Sequence, residues 1–183
     1  MFSFKQIFRE SIGVLLFATL LSLIAGIFLR NVENRLLMIL PLIVILPALN
    51  GMIGGFGIVI TSKFATALYE KKINNIHSHI IKHLFKEVVP IAIFSAFYIG
   101  VLGTFFAYLK GFDLNMITFW KIIVITLITS LTLVFFIFIV SIIGGIIVYK
   151  RGNDPDDILI PITTSIADLF SISVFSLLVF LLF

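Results

Sequence analysis

Five long apolar runs dictate what this chain can fold into. They cover roughly residues 11–29, 36–61, 88–109, 117–149 and 158–183, and about 20 mostly apolar residues suffice for one helix to cross a bilayer. In hydrocarbon a segment must satisfy its own backbone polar groups, so such runs fold as helices. Composition agrees: 61% of residues are hydrophobic and 12% charged, where soluble domains hold about 45–50% and about 25%. The remaining polar surface is too small to cover a soluble globule. The reading is an all-α integral membrane protein, one domain over residues 1–183 with five transmembrane helices. The fourth run, at about 33 residues, is too long for a perpendicular span and must tilt, bend or project.

The first run reads as a retained span. Its apolar core exceeds the roughly 7–15 residues of a signal peptide, and no small-x-small cleavage site stands out. Before it, Met1 to Glu10 (MFSFKQIFRE) mixes phenylalanines with charges. That stretch is either a short interfacial helix or the start of the first span.

The basic residues set the orientation. With the N-terminus inside, the inner segments hold Lys5, Arg9, Lys63, Lys71, Lys72, Lys82, Lys86, Lys150 and Arg151, and the outer ones only Arg30, Arg35, Lys110 and Lys121. The excess predicts N-terminus inside and C-terminus outside, in a multi-pass protein of the cell membrane. Lys121 follows Trp120 and is placed to snorkel to headgroups. The net charge of +4 therefore reports topology, and no nucleic-acid partner is expected. The 63–87 connection reads as a basic loop against anionic lipid headgroups. Within it His77, His79 and His83 occur, and His79 and His83 would share a helix face. A metal there lacks a HExxH motif or a cysteine partner. The chain has no cysteine at all, which removes disulfides and thiolate chemistry.

Polar residues within spans are costly, so the exceptions carry information. Asp168 lies about 15 Å into the fifth run at ~1.5 Å per residue. An aspartate at that depth costs roughly 2.5–3.5 kcal/mol on insertion scales. Thr164, Ser165 and Ser171 share its helix face. That face points into protein or water, as an ion or substrate path or as a buried neutral carboxyl bonded to another helix.

The second run is interrupted by Leu40-Pro41 and Leu46-Pro47, followed by Asn50, Gly51, Gly54, Gly55 and Gly57. Proline removes a helix hydrogen bond and glycine weakens the helix. Irregular backbone is expected here, with freed carbonyls and the Asn50 side chain suited to a hard cation or its water shell. Taken alone, Gly51-x-x-x-Gly55 is instead a helix-packing face. Ala96-x-x-x-Gly100 and Ser141-x-x-x-Gly145 read as packing faces only. Between the last two runs, Asp154 is expected to cap a helix that Pro155 begins. Asp156 and Asp157 either complement the helix dipole or, with Asp154, form a cation-attracting mouth.

Two stretches resemble one family, the MgtE-type magnesium channels and the related solute-carrier magnesium transporters. The entry Asn153-Asp154-Pro155-Asp156-Asp157, then Pro161-Ile162-Thr163-Thr164-Ser165-Ile166-Ala167-Asp168, is similar to the family's Asp-Pro-Asp entry and its Pro-x-x-[Thr/Ala]-Ser-x-x-Asp motif. Pro47-Ala48-Leu49-Asn50-Gly51 to Gly54-Gly55-Phe56-Gly57, then Ser62-Lys63-Phe64-Ala65-Thr66, resembles its glycine-rich pore segment and the basic stretch after it. The resemblance implies a dimer with the pore between subunits. It implies a hydrated Mg²⁺ held by Asp168 and Thr164 and Ser165 near it, with Asn50, Gly51, Gly54 and Gly55 contacting the water shell. Asp154, Asp156 and Asp157 would line the pore mouth. Mn²⁺ and Co²⁺ are the alternative ions. The family commonly has Asn or Asp where Gly55 stands. Its bacterial regulatory domains are not in this sequence, so self-gating by internal magnesium is not expected of this chain. Some relatives carry two copies of the domain, so the pairing is homodimeric or with a related chain.

An intramembrane aspartyl protease needs two membrane carboxylates, and only Asp168 qualifies. Neither GxSxG nor HExxH occurs. The expectation is therefore no enzyme and no cofactor: divalent cation transport, or alternatively a non-transporting membrane subunit that pairs with a related transporter.

Overall fold

The computed structural model describes residues 4–71, 79–113 and 115–183, so Lys72 and His77 lie outside the described residues. Six helices follow in order: α1 (Phe4–Arg30), α2 (Glu33–Met38), α3 (Leu40–Tyr69), α4 (His79–Leu109), α5 (Met116–Lys150) and α6 (Pro155–Leu182). Among the described residues there is no strand. Helices α3, α4, α5 and α6 are long and apolar enough to cross a membrane, and α1 carries a shorter apolar stretch, Leu15–Arg30. Since α1 runs unbroken from Phe4, the described part of the charged N-terminal stretch continues the first helix rather than forming a separate one.

Helix α3 departs from expectation. The chain breaks at Ile39, and Pro41 falls in the first turn of α3, where its missing N–H costs nothing. From there the helix runs through Pro47, Asn50 and every glycine to Tyr69. The expected irregular backbone is therefore confined to Ile39, before Pro41, and is absent around Pro47 and the glycines. A stripe at helical spacing explains this: Leu42, Ile45, Leu49, Ile53 and Ile60 are at most 1% exposed. Contacts to α4, α5 and α6 along that stripe hold the helix through one lost hydrogen bond.

Between helices in lipid, attraction comes from close packing rather than from the hydrophobic effect. Small residues allow it. A Cβ at Gly100 would fall 2.7 Å from Ile123 Cδ1, and one at Gly145 would fall 2.7 Å from Phe64 Cε1. Ala96 and Ser141, the partners in those motifs, are fully buried. Both faces are packing faces, as the sequence indicates. Helix α5 is 35 residues long, which at ~1.5 Å per residue is about 52 Å and well beyond the ~30 Å hydrocarbon thickness.

Each end of the bundle is tied by polar contacts. At one end Arg35 Nη1 donates to the carbonyls of Val179 (3.4 Å) and Phe180, with the guanidinium over the Phe180 ring. Lys121 Nζ donates to the Leu182 carbonyl at 2.6 Å. Lys121 thus reaches the partly negative C-terminal turn of α6 rather than only headgroups. The other end carries Lys63, Lys82, Lys86, Lys150 and Arg151 and is the basic end. There the fully buried hydroxyl of Thr61 lies 3.0 Å from Ser141 Oγ and 3.3 Å from Thr163 Oγ1, joining α3, α5 and α6.

The 63–87 connection also differs from expectation. Neither end of it is loop, because α3 runs on to Tyr69 and α4 already begins at His79. Leu84 and Val88 are buried one turn apart, and His83 pairs with Glu87 at 3.3 Å on the same helix. These i,i+4 contacts extend the helix beyond its apolar part. His79 and His83 do share a face, with ring centroids 6.4 Å apart. Among the described residues no three His, Cys, Asp or Glu side chains converge to hold a metal.

Candidate functional site

Helix α6 buries an i,i+4 ladder of Leu159, Thr163, Ala167 and Ser171. That burial fixes the rotation of the helix. Asp168, next to the ladder, is left half-buried and faces α3. On α3 the buried stripe includes Leu49 and Ile53, which places Asn50 at the stripe's edge. The two edges meet. Asn50 Nδ2 donates to Asp168 Oδ1 at 2.8 Å. Ser171 Oγ donates to Asn50 Oδ1 and lies 3.1 Å from the Asp168 carbonyl.

The carboxylate therefore has one oxygen engaged. No donor among the described residues reaches Oδ2. A hydrogen bond to an ionised acceptor is worth about 1.5–3 kcal/mol, which offsets much of the cost of placing an aspartate at this depth. The remaining oxygen is free to accept from a water or an ion's hydration shell.

Beside Asn50 the surface is bare. A Cβ added at Gly51, Gly54 or Gly55 would meet no atom within 4 Å. Among the described residues, Gly51-x-x-x-Gly55 therefore packs against nothing, unlike Gly100 and Gly145. These glycines are helical, so they do not expose freed amides or carbonyls; Pro47 leaves only the Ile43 carbonyl without its usual donor. What they contribute is space.

The other sequence candidates divide. Thr164 is half-buried on the Asp168 face, one turn away. Its hydroxyl donates back to the Ile160 and Pro161 carbonyls at 2.9 and 3.0 Å, leaving its lone pairs available. Ser165 turns inward, is 5% exposed and donates to the Pro161 carbonyl at 2.7 Å.

At the basic end Asp154 is the N-cap of α6, accepting from the Asp156 amide at 2.9 Å. This is the capping role the sequence indicates. Asp156 leans towards α3, where Ser62 Oγ is 3.5 Å from its Oδ2. Its Oδ1 is buried with no hydrogen-bond partner among the described residues. Asp157 is exposed. The 12 residues from Asp156 to Asp168 span about 18 Å along the helix, so the two carboxylate groups form separate stations.

Two contacts escape sequence reasoning. Ser171 is visible as a neighbour of Asp168, but its bond to Asn50 needs the α3–α6 pairing. Ser62 is visible only as part of the Ser-Lys stretch, since its contact with Asp156 joins residues distant in the chain.

The described geometry is that of a membrane carboxylate, oriented by an amide, beside an open glycine surface. No curated protein and no solved structure gives a significant match to the chain. A family model does: MgtE, described as a divalent cation transporter, matches residues 46–178. That interval includes Asn50, the glycines, the Asp154 entry and Asp168, and covers well over half of the 183 residues. The chain is a multi-pass membrane protein that belongs to the MgtE family of divalent cation transporters.

Proposed function

We propose that this protein carries Mg²⁺ across the cell membrane as a dimer, with the ion path between the open α3–α6 faces of two subunits. The single observation behind this reading is the Asn50–Asp168 pair beside the uncovered surface at Gly51, Gly54 and Gly55. Mg²⁺ sheds water reluctantly and is usually held by one or two carboxylates with waters retained. A pair of Asp168 side chains across a two-fold axis suits that preference. The glycines leave room for the water shell, and Asn50 and Thr164 offer it further acceptors. Ser165 acts from behind, holding the α6 backbone at Pro161.

The basic end is the inner side in this reading, by the lysine excess there. Asp154, Asp156 and Asp157 then line the inner mouth, and the unpartnered Asp156 Oδ1 offers an acceptor to an arriving cation. Mn²⁺ and Co²⁺ share the required charge and octahedral habit and are the competitors to test.

A second reading draws on Gly55, where the sequence motif of the family commonly has Asn or Asp. The chain would then pair with a related transporter and pass no ion alone. Magnesium flux into liposomes carrying purified protein, wild type beside Asp168→Ala, tests both. Flux that disappears with the substitution supports the proposal. Equal flux from both proteins refutes the role of Asp168. No flux from either, with a related chain co-purifying, favours the second reading.

A further inference from the structure

At the basic end, between the last turns of α3 and the first turns of α4, lies a cavity of about 370 Å³. Its walls are of two kinds. Phe64, Ile80, Ile81 and Leu84 form an apolar side, and Lys63, His79, His83 and Glu87 form a polar rim. Across the rim Lys63 Nζ stands 3.5 Å from Glu87 Oε2, and these side chains are 57% and 46% exposed. An ion pair this open contributes little and separates readily. His83 Nδ1 holds the other oxygen, Oε1, at 3.3 Å. Lys63 also borders a second cavity of about 390 Å³ with Ser62 and Thr66, so its ammonium has room to swing.

Its place at the basic end of the bundle is where a membrane interface is expected. Tyr69 and Tyr149 meet edge to face at 5.5 Å at this same end, and interfacial aromatics mark the headgroup level. An amphiphile is therefore the occupant that fits: apolar wall towards the hydrocarbon, charged rim towards water. The rim holds both signs. A purely anionic headgroup would draw Lys63 to its phosphate and supply no cation to Glu87 in exchange. A headgroup with a phosphate and an ammonium satisfies both charges.

We propose that this pocket seats an amine-bearing phospholipid, its phosphate on Lys63 and its ammonium on Glu87, with the first acyl carbons against Phe64, Ile80 and Leu84. The direct Lys63–Glu87 pair is then replaced by two charge-assisted contacts that also bridge α3 to α4. A primary ammonium can donate hydrogen bonds to Glu87, whereas a choline headgroup cannot.

The test is native mass spectrometry of the detergent-purified protein titrated with chain-matched phosphatidylethanolamine, phosphatidylcholine or phosphatidylglycerol. The ethanolamine lipid should be retained about fivefold more tightly than either, the ratio expected of one extra charged contact. Glu87→Gln should reduce it to the phosphatidylcholine level. Lys63→Gln should weaken all three lipids, and Lys63→Arg should restore them. Soluble phosphoethanolamine at equal concentration should not displace the lipid. Equal retention of the three lipids, preference for phosphatidylglycerol, indifference to Glu87→Gln in a normally eluting protein, or displacement by the soluble headgroup would each overturn the proposal.

Discussion

Asp168→Asn separates charge from shape at the proposed ion site. Asparagine fills the same volume and can still meet Asn50 across the 2.8 Å contact, so α3 and α6 keep their register. The insertion cost of a buried carboxylate also disappears. What is lost is one negative charge facing a divalent ion. A hydrated Mg²⁺ has its oxygens at about 2.1 Å, and a water-mediated contact then places the ion about 4 Å from the carboxylate. Two unit charges at that separation interact by about 4 kcal/mol at an effective dielectric constant of 20, and a doubly charged ion doubles it. If surrounding water cancels four-fifths of this, about 1.6 kcal/mol remains, more than a tenfold change in occupancy. The expected result is at least a tenfold loss of Mg²⁺ flux at low Mg²⁺, measured with a magnesium-sensitive dye inside liposomes. Thermal unfolding should match or exceed wild type. A folded Asp168→Asn protein with flux within about twofold of wild type would refute the charge argument, because no screening estimate for a half-buried group is that complete.

Three further outcomes follow from the packing. Gly103→Ala should lower thermal stability markedly, by about 1–3 kcal/mol for overpacking, since its Cβ would lie 2.1 Å from Ile45 Cγ1; Gly51→Ala, with nothing within 4 Å, should leave the detergent-solubilised monomer unchanged, and equal melting temperatures for the two variants would contradict the structure. The chain has no cysteine, so Gly51→Cys is a clean probe of the dimer: oxidation should give a disulfide-linked pair, and a control at the lipid-exposed Phe94, Phe94→Cys, should stay monomeric on a reducing-agent-free gel. Thr61→Val removes the hydroxyl that joins Ser141 and Thr163; Thr163 keeps its bond to the Leu159 carbonyl, but the buried Ser141 hydroxyl loses this partner, which should cost about 1–3 kcal/mol, and a denaturation midpoint at the wild-type value would show that Ser141 is satisfied without it.

The apolar runs were sufficient to read the helices, because a segment in lipid has one way to satisfy its backbone. Asp168 was readable because an acidic residue at that depth is costly and therefore conspicuous. The cap at Asp154 was readable because capping is local. The course of α3 was not. Proline and glycine weaken an isolated helix, but here Leu42, Ile45, Leu49 and Ile53 are buried against three other helices, and that long-range support decides the outcome. The start of α4 was missed for a related reason. His79 to Glu87 is polar enough to read as loop, yet Leu84 and Val88 anchor it to the bundle. Glycines of the same pattern also separate only in space: Gly100 and Gly145 touch a neighbour, whereas Gly51, Gly54 and Gly55 do not.

The orientation of Asn50 ties these features to ion chemistry. An amide presents a donor on one side and an acceptor on the other, and its partners decide which faces where. Ser171 has a proton to give, and it gives it to Asn50 Oδ1. The amide nitrogen must then face Asp168, as it does at 2.8 Å. A group held to a donor in this way acts as an acceptor, so the relay from Ser171 through Asn50 fixes Asp168 Oδ1 as an acceptor and leaves the second oxygen for the water of the proposed cation. With the amide reversed, Ser171 Oγ would accept from Nδ2 and donate to the Asp168 carbonyl at 3.1 Å, but the amide oxygen would then face Asp168 Oδ1 and that carboxyl would have to carry a proton. The serine is thus a positioning residue two contacts away from any ion. Ser171→Ala should reduce flux less than Asp168→Asn, and Ser171→Thr, which restores the hydroxyl, should recover it. A Ser171→Ala protein with less flux than Asp168→Asn would mean that the relay runs through something other than Asn50.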